Sequence, residues 1–125
     1  MKKIIQTKNA PAAIGPYSQA ILAGNTLYCS GQIAINPVSG KLITDDISKE
    51  TVQVMENIYA LLKSVDMNFS NIVKCSIFMK DINNYNKINE EYAKFFEHDP
   101  PAREAVQVSK LPKDVNLEIS VIAIK

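Results

Sequence analysis

Histidine is nearly absent from this sequence. His98, in the polar stretch FEHDP, is the only one. A Ser-His-Asp or Cys-His catalytic arrangement would have to use a residue that nothing marks as buried or oriented. Cysteine is almost as sparse. Cys29 and Cys75 fit no CxxC spacing and lie in strand-like runs, so they read as reduced, buried apolar residues. One histidine and two distant cysteines leave no ligand set for a metal. No GxGxxG or GxxxxGKS/T stretch occurs, which removes the nucleotide-phosphate cradles. No apolar run approaches the roughly 18 residues of a membrane span. The start, MKKIIQTKNA, places only Ile4 and Ile5 behind its basic residues, too few for a signal peptide. Charge is not in excess either: 14 basic against 13 acidic residues give a net charge of +1. No field draws the chain to nucleic acid or anionic lipid.

What is present describes one soluble, cytoplasmic domain over residues 1–125, with 46% apolar and 22% charged residues. That length buries a single core without disulfides or metals. In SQAILAGNTLYCS, Gly24-Asn25 separates two short β-prone runs and predicts a tight hairpin. NPVSG (36–40) predicts a second turn. Thr51, Val54, Met55, Ile58, Leu61, Leu62 and Val65 share one helical face, predicting a helix over 47–65 capped by Asp45, Asp46 or Ser48. A strand follows over 72–79, with Val73, Cys75, Ile77 and Met79 expected on one side. A second helix is expected over about 84–96, with Tyr85, Ile88, Tyr92, Phe95 and Phe96 as its stripe. Lys87–Glu91 and Glu90–Lys94 are spaced as pairs on its solvated face. Pro100-Pro101 closes that region, and two last strands follow, about 103–109 and 115–124.

These elements imply an α+β fold, a mixed β-sheet of about six strands with two helices on one face. Helices pack ~10 Å apart and strands ~4.8 Å, so two helices cover about four strands on one face only. Yet the last strand is apolar on both sides, Leu117, Ile119 and Val121 opposing Ile122 and Ile124. The uncovered side calls for another copy of the chain, a homo-oligomer.

Two charges stand out in PPAREAVQVSKLPKDVNLEIS. Arg103 is the sole arginine against thirteen lysines, and Glu118 interrupts a core-like strand. Arginine differs from lysine in its planar fork, which grips a carboxylate through two parallel hydrogen bonds. From the residues alone two readings stand: Arg103 holds a ligand, or it pairs with Glu104 or Glu118 and ties strand ends together. Glu118 either faces water as an edge-strand gatekeeper, or faces inward and needs a donor or a proton.

APAAIGPYSQA (10–20), SGQIAINPVSG (30–40), VQVMENI, IVKCSIFMKDINNYNKIN and PAREAVQVSKLPKDVNLEI (101–119) resemble, in order, the motifs of the Rid (YjgF) family of reactive-intermediate deaminases. The resemblance implies a chorismate-mutase-like fold assembled as a barrel-like homotrimer, with three clefts between subunits. It implies a cofactor-free hydrolysis of 2-iminobutanoate and 2-iminopropanoate to 2-oxo acids and ammonia. Arg103 then matches the arginine that grips the substrate carboxylate, and Glu118 the glutamate that positions or activates water. Tyr17 matches a cleft tyrosine, Asn89 a site asparagine on the second helix, and Ser30 and Gly31 hydroxyl and backbone contacts. The chain departs from the family pattern after Pro-Ala-Arg, where Glu104-Ala105 replaces the usual Ser-Cys. The group given a role there is a backbone carbonyl, which Ala105 also has. The loop before Pro101 is shorter than in some relatives, which bears on access to the cleft. Competing readings are a carboxylate-binding regulatory module, an RNA-acting translation inhibitor and a holdase-like chaperone.

Overall fold

The computed structural model describes residues 1–125 as one six-stranded sheet, ordered β1-β2-β3-β6-β4-β5, with two α-helices against it. The strands are β1 (Lys2–Ile5), β2 (Ala20–Ala23), β3 (Thr26–Cys29), β4 (Ile72–Met79), β5 (Ala102–Gln107) and β6 (Leu117–Ile124); the helices are α1 (Ile47–Lys63) and α2 (Tyr85–Ala93). β4 and β5 run parallel and every other pairing is antiparallel. The last strand, β6, is inserted between β3 and β4. Helix α1 therefore crosses from β3 to a parallel strand two places away, and α2 crosses from β4 to its neighbour β5.

The local signals explain most of this. Gly24 adopts φ +60°, the conformation the β2–β3 hairpin requires. Asp46 caps α1, its side chain accepting from the Ser48 and Lys49 N–H groups. All seven residues of the α1 stripe are buried, from Thr51 to Val65. They meet Leu27, Leu117, Ile119, Val121 and Ala123 in the main core.

Three expectations needed correction. A register shift between Ile72 and Lys74 breaks the alternation of β4. Ile72 is buried with Cys75, Ile77 and Met79, and Val73 is left 44% exposed. An added residue in one strand turns the side chain before it to the opposite face. Helix α2 is shorter than its stripe: it ends at Ala93, and a 3₁₀ turn (Ile82–Asn84) precedes it. Phe95 and Phe96 lie beyond the helix in an aromatic cluster with Phe69, at 5.1 and 5.8 Å between centroids. Its surface pairing also differs, since Lys94 bonds Glu91 at 3.0 Å rather than Glu90.

Alternation along β6 buries Leu117, Ile119, Val121 and Ala123 under the helices and turns Glu118, Ser120, Ile122 and Ile124 to the other face. Register places Ile4, Ile21, Tyr28 and Ile122 in one row across that second face. Neither helix covers it. Tyr28 is 49% and Ile4 62% exposed. The sheet thus has one packed face and one open, largely apolar face, as the helix count requires. No helix is long and apolar enough to cross a membrane.

Candidate active site

Arg103 belongs to the packed face. It lies beside Cys75 in the β4–β5 register, and Ala105 lies beside Ile77. Strand β5 is outermost, so its side chains reach past the sheet toward α2. Arg103 Nη1 donates to Asn89 Oδ1 at 2.7 Å and Nη2 to the Tyr85 hydroxyl at 3.0 Å. The guanidinium carbon stands 5.0 Å from the Tyr92 ring centroid and 5.7 Å from that of Tyr85. Two aromatic faces and one amide thus hold the fork in place without neutralising it. Tyr92 has a buried hydroxyl with no hydrogen-bond partner, and burial pushes its acidity far below the usual phenol range. Tyr85 moves the other way: the neighbouring Asn89 amide, then the Arg103 charge, holds its pKa below the usual phenol value.

The ion-pair reading of Arg103 is overturned. The chain's ion pairs are Lys74–Glu104, Lys80–Asp114 and Lys94–Glu91. Glu104 points from β5 to the open face, where it takes Lys74 Nζ at 2.8 Å and the Ser76 hydroxyl. The Asn89 amide oxygen is likewise engaged within the chain, by Arg103.

Glu118 belongs to the opposite face. It registers with Phe78 of β4, whereas Arg103 follows Cys75 on the helix side. The inward-facing reading of Glu118 is corrected accordingly, since it shares the open face with Ser120, Ile122 and Ile124. It is not an edge-strand gatekeeper either, because β6 is flanked by β3 and β4. The loop after β3 folds over it through reciprocal backbone bonds between Gln32 and Ile119, at 2.8 and 3.1 Å. This seats Gly31 against the carboxyl group. A Cβ at Gly31 would stand 2.7 Å from Glu118 Cδ, closer than real Cβ contacts allow. Glu118 joins no ion pair, and burial alone raises its pKa above the usual carboxylate value. Tyr17, Gly31, Gln32 and Pro112 line a hollow of about 70 Å³ with it. Tyr17 packs on Gly15, and its hydroxyl accepts from the Ile14 N–H at 3.3 Å. Ser30 is turned away from this hollow, its hydroxyl donating to the Ser18 carbonyl at 2.6 Å.

The candidate residues therefore fall into two half-sites. Arg103, Asn89 and Ala105 lie on the packed face at the outer strand. Tyr17, Gly31 and Glu118 lie on the open face, with Ser30 supporting the loop. One chain does not bring the cation and the carboxylate together.

Three buried polar residues that the sequence reading passed over hold these loops. The Gln19 amide takes the Thr7 N–H at 2.7 Å and donates to the Pro11 carbonyl at 2.8 Å, fixing the segment before Tyr17. Asn57 donates to the Ile33 and Ile35 carbonyls, at 3.1 and 3.0 Å, behind Gly31. Glu50, fully buried, accepts the Asn116 N–H at 2.9 Å and its amide at 2.8 Å, two residues before Glu118. A polar residue at a core position of the α1 stripe was the one signal available for Glu50 and Asn57.

A first prediction arises at Gly31. An alanine there would displace Glu118, whose flexible end can swing aside. Gly31→Ala should change stability by less than about 1 kcal/mol, as expected where only a surface-accessible rotamer must move. Any activity that depends on where the Glu118 carboxyl group stands should fall about 100-fold, the usual effect of an ångström-scale misplacement. Thermal melting and steady-state kinetics on the same preparation separate the two effects.

The family model described as endoribonuclease L-PSP matches residues 7–125. A Rid family protein of unknown function from Yersinia pestis is 50% identical and superposes with a TM-score of 0.97, both chains being covered in full. The chain belongs to the Rid (YjgF) family. The human 2-iminobutanoate/2-iminopropanoate deaminase is 42% identical over all of this chain and 91% of its own length. The structure of Escherichia coli TdcF with bound serine is 39% identical, with a TM-score of 0.95 over 98% of each chain. The Rid fold is thus established here by sequence and by shape, and some of its curated members are imine hydrolases.

Proposed function

We propose that the protein hydrolyses short 2-imino acids, 2-iminobutanoate and 2-iminopropanoate, to 2-oxo acids and ammonia, in clefts between the subunits of a homotrimer. Arg103 and Asn89 of one subunit would face Tyr17, Gly31 and Glu118 of the next. One observation carries the reading: an arginine without an acid and a glutamate without a base stand on opposite faces of one sheet, each beside a hollow. Two copies in contact supply what each half lacks. The open apolar face gives them a reason to associate. The human relative's named activity supports the chemistry, and the serine bound to TdcF supports a small carboxylate as ligand.

The chemistry needs little. A protonated imine is already electrophilic at C2. Arg103, with N–H groups left free by Asn89 and Tyr85, clamps the substrate carboxylate. Glu118 orients a water and accepts its proton as the oxygen bonds to C2. Glu118 returns that proton to the nitrogen and then takes the C2 hydroxyl proton as the C–N bond breaks, so that ammonia leaves and the 2-oxo group forms. A raised pKa suits Glu118 to this exchange because it makes the carboxylate a stronger base toward the attacking water. The backbone carbonyl of Ala105, on the same face as Arg103, can take the place of the family's usual cysteine carbonyl. No cofactor enters this scheme. The near-neutral charge, with lysines dispersed, favours this over an RNA substrate.

The test is a coupled assay in which threonine dehydratase generates 2-iminobutanoate and semicarbazide traps the free imine. The protein should accelerate 2-oxobutanoate release and suppress semicarbazone formation. Ligand binding without acceleration would leave a carboxylate-binding module instead.

A further inference from the structure

The hollow beside Arg103 has two unlike ends. At one end, Asn89 and Tyr85 take two of the five N–H groups a guanidinium offers. The remaining wall is Ala93, Phe96, Pro100 and Pro101, with Tyr92 as its floor. That wall has no donor to give. The prolines carry no N–H, and the Phe96 N–H is spent on the Ala93 carbonyl at 3.2 Å. Proline also fixes φ, so the wall stands preformed rather than closing on a ligand. The space measures about 370 Å³, within the roughly 300–1,000 Å³ of small-ligand pockets. A carboxylate seated on Arg103 has this apolar wall next to it, open on the outer side where the next subunit's half-site would close it.

We propose that this hollow receives the side chain of the imino acid, so that the protein favours 2-imino acids with apolar side chains of four or more carbons over 2-iminopropanoate. Phe96, Pro100 and Pro101 would then set specificity and Arg103 would set the anchor. The inference rests on the deaminase reading of the same site and goes beyond it in naming the substrate class. A short chain leaves water against Phe96 and the prolines. A branched or aromatic chain displaces it, and each methylene buried is worth roughly four-fold in affinity.

The stable 2-oxo acids serve as probes: 2-oxopropanoate, 2-oxobutanoate, 4-methyl-2-oxopentanoate and 3-phenyl-2-oxopropanoate, titrated into the intact protein by calorimetry. 4-Methyl-2-oxopentanoate should bind at least about ten-fold more tightly than 2-oxopropanoate. Ala93→Leu, which keeps a good helix former on α2, should fill the hollow and reduce that ratio about ten-fold. Equal or falling affinity along the series, no measurable binding, or an unchanged ratio in Ala93→Leu would overturn the proposal. Turnover of the matching imines, made by an amino-acid oxidase, separates the two layers. Length-dependent binding without turnover of any imine supports the hollow and removes the deaminase reading. Turnover that ignores chain length does the reverse.

Discussion

Replacing Arg103 with alanine should lower kcat/KM for 2-iminobutanoate by about 30-fold to several-thousand-fold. That range corresponds to the roughly 2–5 kcal/mol lost when one partner of a desolvated, hydrogen-bonded charge pair is removed. The loss should appear largely in KM if the carboxylate is gripped equally in ground and transition states, and in kcat if the grip aligns C2 for attack. Arg103→Lys should recover little of it. A lysine places a point charge where Asn89, Tyr85 and the substrate together require a fork. Stability should hardly move, because Arg103 is half-exposed and joins no ion pair. A large fall in melting temperature would mean that the arginine is there to hold α2 to β5.

Glu118→Gln should cost about 100- to 10,000-fold in kcat, the usual contribution of a positioned general base. The amide keeps the shape against Gly31 but cannot accept the water's proton. The native pH profile should show an acid limb, with activity falling as pH drops through the raised pKa of Glu118, above 4.5. In Glu118→Gln that limb should vanish. Stability should shift with the opposite sense. The folded state holds the Glu118 proton more tightly than the unfolded one, so the native protein loses stability as pH rises from 4.5 through the folded pKa. Glu118→Gln escapes that loss, and its advantage over the native protein should grow from acid to neutral pH. An advantage that shrinks instead would mean that an unseen donor stabilises the ionised carboxylate.

Much of the fold was legible because its periodicities are strong. The α1 stripe runs unbroken through four turns, the Gly24-Asn25 turn separates two apolar runs, and β6 alternates cleanly. What escaped depends on distant partners. β1 offers only Ile4 and Ile5 between charged and polar residues, and it exists because β2 supplies a ladder. The irregularity at Ile72–Lys74 is set by β6 rather than by the residues themselves, so Val73 could not be placed from its own neighbourhood. Helix α2 stops before its aromatic stripe ends because Phe95 and Phe96 gain more by packing on Phe69.

The site divides in the same way. Alternation alone separates Arg103 from Glu104, so the clearance of the arginine from its acidic neighbour was readable. Its separation from Glu118 was not, since that requires knowing that β6 inserts beside β4 and that β5 runs parallel to β4. The roles of Gln19, Glu50 and Asn57 were also hidden. Each bonds loop backbone eight to sixty-six residues away, and spacing along the chain does not encode such partners.

The most direct test of the account is subunit complementation. Arg103→Ala and Glu118→Gln are each expected to be nearly inactive as homotrimers, and both should fold. Mixed by unfolding and refolding at equal amounts, they should form trimers in which some clefts pair a native Arg103 from one subunit with a native Glu118 from the next. Random assembly gives such clefts a share of about a quarter, so activity should recover to roughly that fraction of native. Mixed trimers, confirmed by native mass spectrometry, that remain as inactive as their parents would contradict a site shared between subunits.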